Sequence, residues 1–292
     1  MEEDKDITMG VREQFKVETP IDLHVEEIKR NGYTILENAL TEEEIRCLQG
    51  GILENIYQTQ IKEVGGEENL FSIGDEYSVK ALMAYDDYFA ELASNKMVHE
   101  IVERLLGENY KLTLQNAVLN FGKHFNPASV WHRDTPYAHY VTTRPLGVST
   151  LFVVDKFNEE TGGTIILPGS HKHEEFPSKE FAKKHSIQIS AEPGTVVIFD
   201  SMMYHRAGFN KTDRPRRSIV QVFTIPLIEQ TINFSRMLNG KFKDDPLLSK
   251  LIGYKYGGGP ANSVLDYRLA RIKIRSGKSA PGDGRLKSLS QY

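Results

Sequence analysis

Hydrophobic residues in the first hundred positions recur every three to four residues, which is the spacing of amphipathic helices. In the first such stretch, Ile21, Val25 and Ile28 share one side, and Asn31-Gly32 ends the helix. Patterns of this kind predict three helices, over residues 21–30, from residue 41 through the glycine pair at 50–51 to residue 56, and over residues 94–106. A short apolar run at 33–36 predicts a strand between the first two helices.

After Gly107 the pattern changes to short runs rich in β-branched and aromatic residues, separated by turn residues. The predicted strands cover residues 111–119, 147–154, 163–167, 194–199 and 217–225. Strands this short and this closely spaced favour a sandwich or barrel over alternating strand–helix units. We therefore expect a mainly β fold with helices on its outside.

The 292 residues fit one elaborated domain or two small ones. We expect a polar N-terminal arm over residues 1–19, a main domain over 20–253 and a basic tail over 254–292. The tail carries eight Lys and Arg against two Asp, which is typical of a solvated segment and also compatible with a lid or a dimer arm. A homodimer is thus left open.

Net charge and cysteine content exclude several classes of function and of metal site. The 36 Lys and Arg against 40 Asp and Glu give a net charge of −4, which argues against a dedicated nucleic-acid-binding protein. Cys47 is the single cysteine, so an intramolecular disulfide, a thiolate zinc site and an iron–sulfur cluster are excluded. The acidic start lacks an apolar signal segment and no run approaches 18 apolar residues, which predicts a cytoplasmic protein without a membrane partner. Metal chemistry would have to use His and carboxylates.

Such residues occur within the β-rich region. His132 and Asp134 are separated by one residue, so extended backbone places both side chains on the same side. His205 follows the predicted strand at 194–199. Two His and one carboxylate form the facial set of non-haem Fe(II) oxygenases, which leaves positions open for a 2-oxo acid and dioxygen. Taken alone, a His-x-Asp motif is also typical of an ordinary surface turn.

An anionic cosubstrate with a second carboxylate also needs a fixed cation. Arg216 lies eleven residues beyond His205, and a guanidinium pairs with a carboxylate through two hydrogen bonds. Ser218 would share the face of Arg216 on a strand and could add a hydroxyl group. A solvated basic turn is the alternative interpretation of the cations around Arg216.

Several ordered blocks of sequence resemble the phytanoyl-CoA dioxygenase-like (PhyH) family of Fe(II)/2-oxoglutarate-dependent oxygenases. These blocks are residues 28–36 with 40–45, Glu160-Thr-Gly-Gly-Thr164 with Leu167-Pro-Gly-Ser-His-Lys172, Glu192–Asp200, His205-Arg-Ala-Gly-Phe-Asn210 and Arg214-Pro-Arg-Arg217. The resemblance extends over residues 28–225, about two-thirds of the chain. It implies a double-stranded β-helix, which is a jelly-roll or cupin-like core, with iron at one mouth.

The resemblance also implies roles for individual residues. His132, Asp134 and His205 would be the Fe(II) ligands, and Arg216 would bind the C5 carboxylate of 2-oxoglutarate. Asn120 and Thr164 match positions that contact the cosubstrate in relatives, with backbone hydrogen bonding within the strands as the alternative. Retention of the aspartate argues against the halogenating relatives, which have a small residue there.

The function implied is that of an Fe(II)/2-oxoglutarate-dependent dioxygenase that uses O2 and releases succinate and CO2. The expected substrate is a small-molecule metabolite or natural product, and hydroxylation is the expected reaction. Tyr137 and His139 follow the metal-ligand pair closely enough to line a substrate pocket, and Arg133 belongs to a set of cations suited to an anionic substrate. Ordinary loop packing and exposed charge are the alternative roles of these three residues.

Three other functions are compatible with parts of the pattern. An acyl-CoA hydroxylase of the same family would need the same iron site. A non-enzymatic β-helix module that binds a ligand would use the histidines structurally. A cupin-like isomerase or hydrolase would not need Arg216. The order of the motifs favours the oxygenase.

Overall fold

The computed structural model describes residues 14–135 and 140–254. Nine strands lie within these ranges: β1 (Tyr33–Leu36), β2 (Ser78–Lys80), β3 (Lys111–Asn120), β4 (Gly147–Val153), β5 (Ile165–Ile166), β6 (Ile187–Gln188), β7 (Val196–Asp200), β8 (His205–Arg206) and β9 (Arg216–Thr224). They form a six-stranded sheet of order β1-β7-β4-β9-β3-β2 and a three-stranded sheet of order β6-β5-β8. All neighbouring strands pair antiparallel.

Nine α-helices accompany the sheets in the described part of the chain. They are α1 (Pro20–Asn31), α2 (Glu42–Cys47), α3 (Leu53–Val64), α4 (Glu67–Ser72), α5 (Tyr88–Ala93), α6 (Lys96–Leu106), α7 (Lys179–His185), α8 (Phe234–Met237) and α9 (Pro246–Ile252). Helix α1 ends at Gly32, whose φ of 91° favours glycine, and α6 begins at Asn95, whose side chain accepts the Val98 N–H. The predicted first and third helices are confirmed.

The second predicted helix does not run unbroken through the glycine pair. Helix α2 ends at Cys47, the chain makes a kinked turn over Leu48–Ile52, and α3 begins only after it. Gly51 has φ 95° and ψ 7° inside this turn, a left-handed conformation that glycine adopts without a Cβ clash. The prediction of one continuous helix was therefore wrong at Gly51.

The central strand β4 shows how the sheets and helices pack, because all seven of its residues are buried. Val148 and Phe152 on one face join the core formed with the helices. Leu151 and Val153 on the other face join a second core with Phe157 and residues of the small sheet. Alternate residues of a strand point to opposite faces, so β4 is covered by helices on one side and by the second sheet on the other. This is the predicted jelly-roll with outer helices.

The outer segments are covered only in part. Residues 14–19 are an exposed lead into α1, and the basic tail from residue 255 onward lies outside the described residues. The proposed boundaries of the arm and tail stay predictions. Within the described ranges, no helix combines the length and the apolar character needed to cross a bilayer. The cytoplasmic location likewise stays a prediction.

Candidate metal and cosubstrate site

His132 and His205 are joined by an isolated antiparallel β-bridge. The His132 N–H donates to the His205 carbonyl at 3.0 Å, and the His205 N–H donates back at 3.1 Å. Each imidazole donates its Nδ1–H to the carbonyl two residues earlier, on Val130 at 2.7 Å and on Met203 at 3.0 Å. These bonds fix one tautomer of both rings and leave each Nε2 with a lone pair for a metal ion.

Asp134 supplies the third donor. Its N–H donates to the Ser201 carbonyl at 3.1 Å, and its Oδ1 lies 3.5 Å from Nε2 of His205. Its Oδ2 is buried and has no hydrogen-bond partner within the described residues. The ligand atoms of the three residues all lie within 4.8 Å of one another. A carboxylate with one buried oxygen that lacks a partner, close to two imidazole nitrogens, fits a divalent cation that accepts N and O ligands.

The electrostatics of the cluster suit that donor set at Asp134 and His132. Burial raises the pKa of Asp134, but the opposing influence of the His205 charge and hydrogen bond prevails and lowers that pKa to about 2. Burial lowers the pKa of His132, with the neighbouring His205 acting in the same direction. At neutral pH, Asp134 is therefore ionised and His132 is neutral, which are the states in which each binds a metal ion. Burial lowers the pKa of His205, but the charge of Asp134 and its hydrogen bond prevail and raise that pKa, so a metal ion would displace the proton on Nε2 of His205.

Arg216 is a buried cation at the first position of β9, with 2% of its surface exposed. Its guanidinium carbon lies 4.4 Å from the ring centre of Phe157, and its Nη1 donates to Ser218 Oγ at 3.1 Å. Its Nε is buried without a hydrogen-bond partner in the described chain. Burial lowers the pKa of Arg216 to about 10, although Asp155 counteracts this effect. The group stays charged at neutral pH and retains donor capacity for an anion.

One cavity of about 160 Å³ connects the metal-binding cluster to Arg216. Besides the three clustered residues, its polar lining includes Thr164, Arg216 and Ser218. The apolar lining comes mainly from the large sheet and comprises Leu114, Val118, Leu151, Phe199 and Val220. A cavity with a cationic end, a metal-binding cluster and an apolar wall suits a small dianion bound beside apolar surface.

The structure thus brings together six of the residues singled out in the sequence: His132, Asp134, Thr164, His205, Arg216 and Ser218. Asn120 is not among the cavity-lining residues. Its side-chain amide donates to the Gly208 carbonyl at 3.0 Å, which is the backbone hydrogen bond given above as its alternative role. The cosubstrate contact of Asn120 stays a prediction. Tyr137 and His139 lie outside the described residues.

Arg133 also departs from the prediction, because it does not line the cavity. Strand-like alternation directs His132 and Asp134 to one side, which sends the side chain between them to the other. Its guanidinium donates to the backbone carbonyls of Ser170, at 3.0 Å, and His173, and lies 4.0 Å from the ring centre of Tyr204. Arg133 therefore anchors the segment around residue 170, and its predicted role towards an anionic substrate has no support from the cavity of the described residues.

Two further polar residues of the cavity, Ser78 and Asn116, were not predicted from the sequence. Asn116 could have been found, because alternation along the predicted strand groups it with Leu114 and Val118. Ser78 lies on β2, a strand of three residues that becomes evident only through its pairing with β3. A strand this short carries too little periodicity to predict.

Close backbone packing positions Thr164 beside the histidine strand. A Cβ on Gly162 would lie 2.5 Å from the Gly208 carbonyl oxygen, and a Cβ on Gly208 would lie 2.4 Å from the Gly163 carbonyl oxygen. Side chains at these positions would separate the two segments. The glycines therefore allow the turn before Thr164 to approach the segment after His205.

Comparisons with known proteins agree with this geometry. An uncharacterised protein of Mycobacterium tuberculosis is 28% identical over 217 residues, which cover 71% of this chain and 76% of that protein. The protein named dioxygenase sphC of Aspergillus fumigatus is 28% identical over 226 residues, covering 73% of this chain and 61% of its own.

Solved structures share the fold. EctD from S. alaskensis with bound Fe has a TM-score of 0.59 at 20% identity, over 75% of this chain and 82% of that one. The epimerase SnoN, solved with Fe3+, alpha ketoglutarate and nogalamycin RO, has a TM-score of 0.52 at 18% identity, over 70% and 83%. The family model described as phytanoyl-CoA dioxygenase (PhyH) matches residues 28–218. The chain therefore belongs to the phytanoyl-CoA dioxygenase family of Fe(II)/2-oxoglutarate-dependent dioxygenases.

Proposed function

We propose that this dioxygenase oxidises a small-molecule metabolite or natural product, by hydroxylation, with His132, Asp134 and His205 as its Fe(II) ligands. Arg216 binds the C5 carboxylate of 2-oxoglutarate. The observation that supports this assignment most directly is the grouping of the ligand atoms of His132, Asp134 and His205 within 4.8 Å of one another, in the cavity that Arg216 also lines. Oδ2 of Asp134 is buried there without a hydrogen-bond partner in the described chain. Family membership supports the reaction class.

Backbone carbonyls next to the histidine bridge orient the two imidazole ligands. The carbonyls of Val130 and Met203 accept the Nδ1–H groups, so neither ring can turn without losing a hydrogen bond. The bound iron and 2-oxoglutarate supply oxidative decarboxylation and the transfer of one oxygen atom from O2 to a substrate carbon. The protein's contribution is a fixed tautomer, an ionised carboxylate and a cavity that presents one C–H bond.

Arg216 is held in a fixed position from which it binds the carboxylate of the cosubstrate. Its planar guanidinium matches a carboxylate through two parallel hydrogen bonds, and Phe157 packs against it and shields it from water. Ser218 accepts a hydrogen bond from Arg216, Thr164 lines the same cavity, and both add hydroxyl groups. A charged hydrogen bond in a dry site is stronger than the same bond in water, so a buried arginine favours tight binding of a dianion.

The remaining cavity wall supports an organic substrate with an aliphatic or alicyclic body. Leu114, Val118 and Leu151 present apolar surface, whereas Ser78 and Asn116 each add one polar group. SnoN, which shares the fold, is described as an epimerase from nogalamycin biosynthesis, a natural-product pathway. The wall and this relative together support a natural product or related metabolite as the substrate class.

Anaerobic titration of the purified protein tests the metal and cosubstrate assignments. Addition of Fe(II) and then 2-oxoglutarate should produce the weak visible charge-transfer band of the iron chelate. His132→Ala should abolish the band, and Arg216→Ala should shift its appearance to much higher 2-oxoglutarate concentration. His124→Ala and Arg214→Ala are matched controls, because both side chains are exposed and outside the cavity lining.

Two results would overturn the assignment. A wild-type protein that forms no band and binds no 2-oxoglutarate would contradict the cofactor roles of all four residues. Equal loss in His132→Ala and His124→Ala would contradict the specific role of the bridge. When the band is present, succinate release in the presence of candidate alicyclic and aliphatic metabolites identifies the substrate.

A further inference from the structure

A second pocket, of about 330 Å³, lies against the residues that flank the histidine bridge. Trp131, which precedes His132, and Phe176 form its aromatic wall, with ring centres 5.5 Å apart and ring planes inclined at 47°. Ala182 of α7 adds a small apolar surface. The pocket therefore has a wall that suits a flat apolar group.

Three cations surround this wall. Lys179 and Lys183 come from α7, and Arg206 comes from β8, directly after His205. Within the described residues, none of the three forms an ion pair with a carboxylate. Unlike the lysines paired with acids elsewhere on the surface, these three cations have no carboxylate partner in the part of the chain that the structure describes.

Arg206 provides a second, independent indication of a ligand. Its guanidinium carbon lies 5.2 Å from the ring centre of Trp131, and its Nε is buried without a hydrogen-bond partner in the described chain. A buried donor without an acceptor is costly, whereas an acceptor from a bound anion would remove that cost. The guanidinium is already held over the aromatic wall, so little further ordering is needed on binding.

We propose that this pocket binds a small organic anion, a carboxylate or phosphate ester carried on a flat apolar body. The two lysines and Arg206 attract and pair with the anionic group, while Trp131 and Phe176 contact the body. Arg206 lines both this pocket and the central cavity, but Trp131 lines only the former. The pocket is therefore a binding site in addition to the proposed 2-oxoglutarate site, and it does not depend on bound metal.

Trp131 is the only tryptophan of the chain, so its emission reports on this pocket directly. The full-length protein is titrated with benzoate, acetate and benzyl alcohol while tryptophan is excited selectively. Benzoate combines the charge with the flat body and should change the emission saturably. Acetate lacks the ring and benzyl alcohol lacks the charge, so both should bind at least tenfold more weakly.

Charge reversal on α7 provides the matched comparison. Lys183→Glu should weaken benzoate binding at least tenfold, and Lys179→Glu is a second exposed variant with the same expectation. Lys184→Glu makes an identical change of net charge on the same helix, outside the pocket lining, and should keep affinity within about twofold. Circular dichroism verifies that all three variants are folded.

Arg216→Ala separates this pocket from the cosubstrate site. The proposal requires that this variant retain the benzoate response of Trp131. Loss of the response in Arg216→Ala would place benzoate in the central cavity and overturn the proposal. Equal weakening by Lys183→Glu and Lys184→Glu, or no saturable response in the wild type, would overturn it as well.

Discussion

Asn120 and Arg216 lie directly opposite each other in the antiparallel pair β3–β9, yet their side chains have different surroundings. Arg216 lines the central cavity, whereas the Asn120 amide donates to the Gly208 carbonyl at 3.0 Å. The Asn120 carbonyl in turn accepts the Asn210 side-chain amide at 2.8 Å. One member of the pair is therefore available to a ligand, and the other fastens the segment that follows His205.

Substitution of Arg216 by lysine tests whether 2-oxoglutarate binding depends on the planar shape of the guanidinium as well as on its charge. Arg216→Lys keeps a positive charge but loses the planar fork, so we expect the KM for 2-oxoglutarate to rise at least tenfold. Steady-state succinate release measures it. Arg214→Lys, an exposed change two residues earlier, should leave this KM within about twofold. An unchanged KM in Arg216→Lys would show that 2-oxoglutarate is held elsewhere.

Asn120→Ala should act on stability instead. It leaves the buried Gly208 carbonyl without its donor, which should lower the free energy of unfolding by about 1–3 kcal/mol. Urea unfolding measures this loss, and Asn55→Ala, at an exposed position, is the control. We expect the KM for 2-oxoglutarate to change by less than about threefold. A large rise in KM at unchanged stability would restore the direct cosubstrate contact expected from the sequence.

The direction of the His132 side chain was predictable from the sequence, whereas the hydrogen-bond partners of Asn120 and Arg133 were not. Alternation along a strand predicted that His132 and Asp134 face together, and the same rule directs Arg133 away from them. The sequence could not reveal that the backbone carbonyls of Ser170 and His173 would meet Arg133 there. Those contacts depend on how a segment forty residues away packs, which no local periodicity encodes.

The bounds of helices and strands were likewise predictable only where local sequence signals decide them. Strand β1 has the bounds predicted for it, Tyr33–Leu36, because its apolar run is flanked by clear turn signals. The interruption at Gly51 was missed, since glycine is compatible with both a helix and a left-handed break and only the packing decides between them. Ser78 was missed because β2 becomes a strand through its partner β3.

Gly162 should tolerate no side chain. It has φ +73°, and an added Cβ would lie 2.5 Å from the Gly208 carbonyl oxygen, which belongs to backbone that cannot rotate away. We expect Gly162→Ala to lower the free energy of unfolding by about 1–3 kcal/mol. Thermal and urea unfolding measure the effect.

Gly50→Ala is the matched control for that substitution. No atom lies within 4 Å of the Cβ position of Gly50, and its φ is not in the left-handed region. Alanine also favours helical backbone by up to about 1 kcal/mol, so this variant should be neutral or more stable. Similar losses in both variants would show that the contact between Gly162 and Gly208 does not limit stability.

Stability should fall in mild acid because of His99, which lies away from the cavity. Its Nε2–H donates to the Ala93 carbonyl at 2.6 Å, and its Nδ1 accepts the Tyr110 hydroxyl at 2.8 Å, so the neutral ring has both partners. Burial, assisted by the charge of Lys250, lowers the pKa of His99 to about 4. Protonation would cost the Nδ1 bond and leave a buried charge.

The sign of the pH effect follows from comparing the folded and unfolded states. The unfolded chain protonates His99 near pH 6.5, whereas the folded protein resists protonation until about pH 4. The stabilising contribution is therefore complete above pH 6.5 and declines as the pH falls towards 4. Between pH 7 and pH 5 the protonation of His99 should lower the free energy of unfolding by about 2 kcal/mol.

His99→Gln keeps a donor and an acceptor but cannot titrate, so its stability should decline less over the same interval. Other titrating groups, His171 included, remain in both proteins and cancel in the difference. Urea unfolding at the two pH values measures it, and equal declines would show that His99 is not the group responsible.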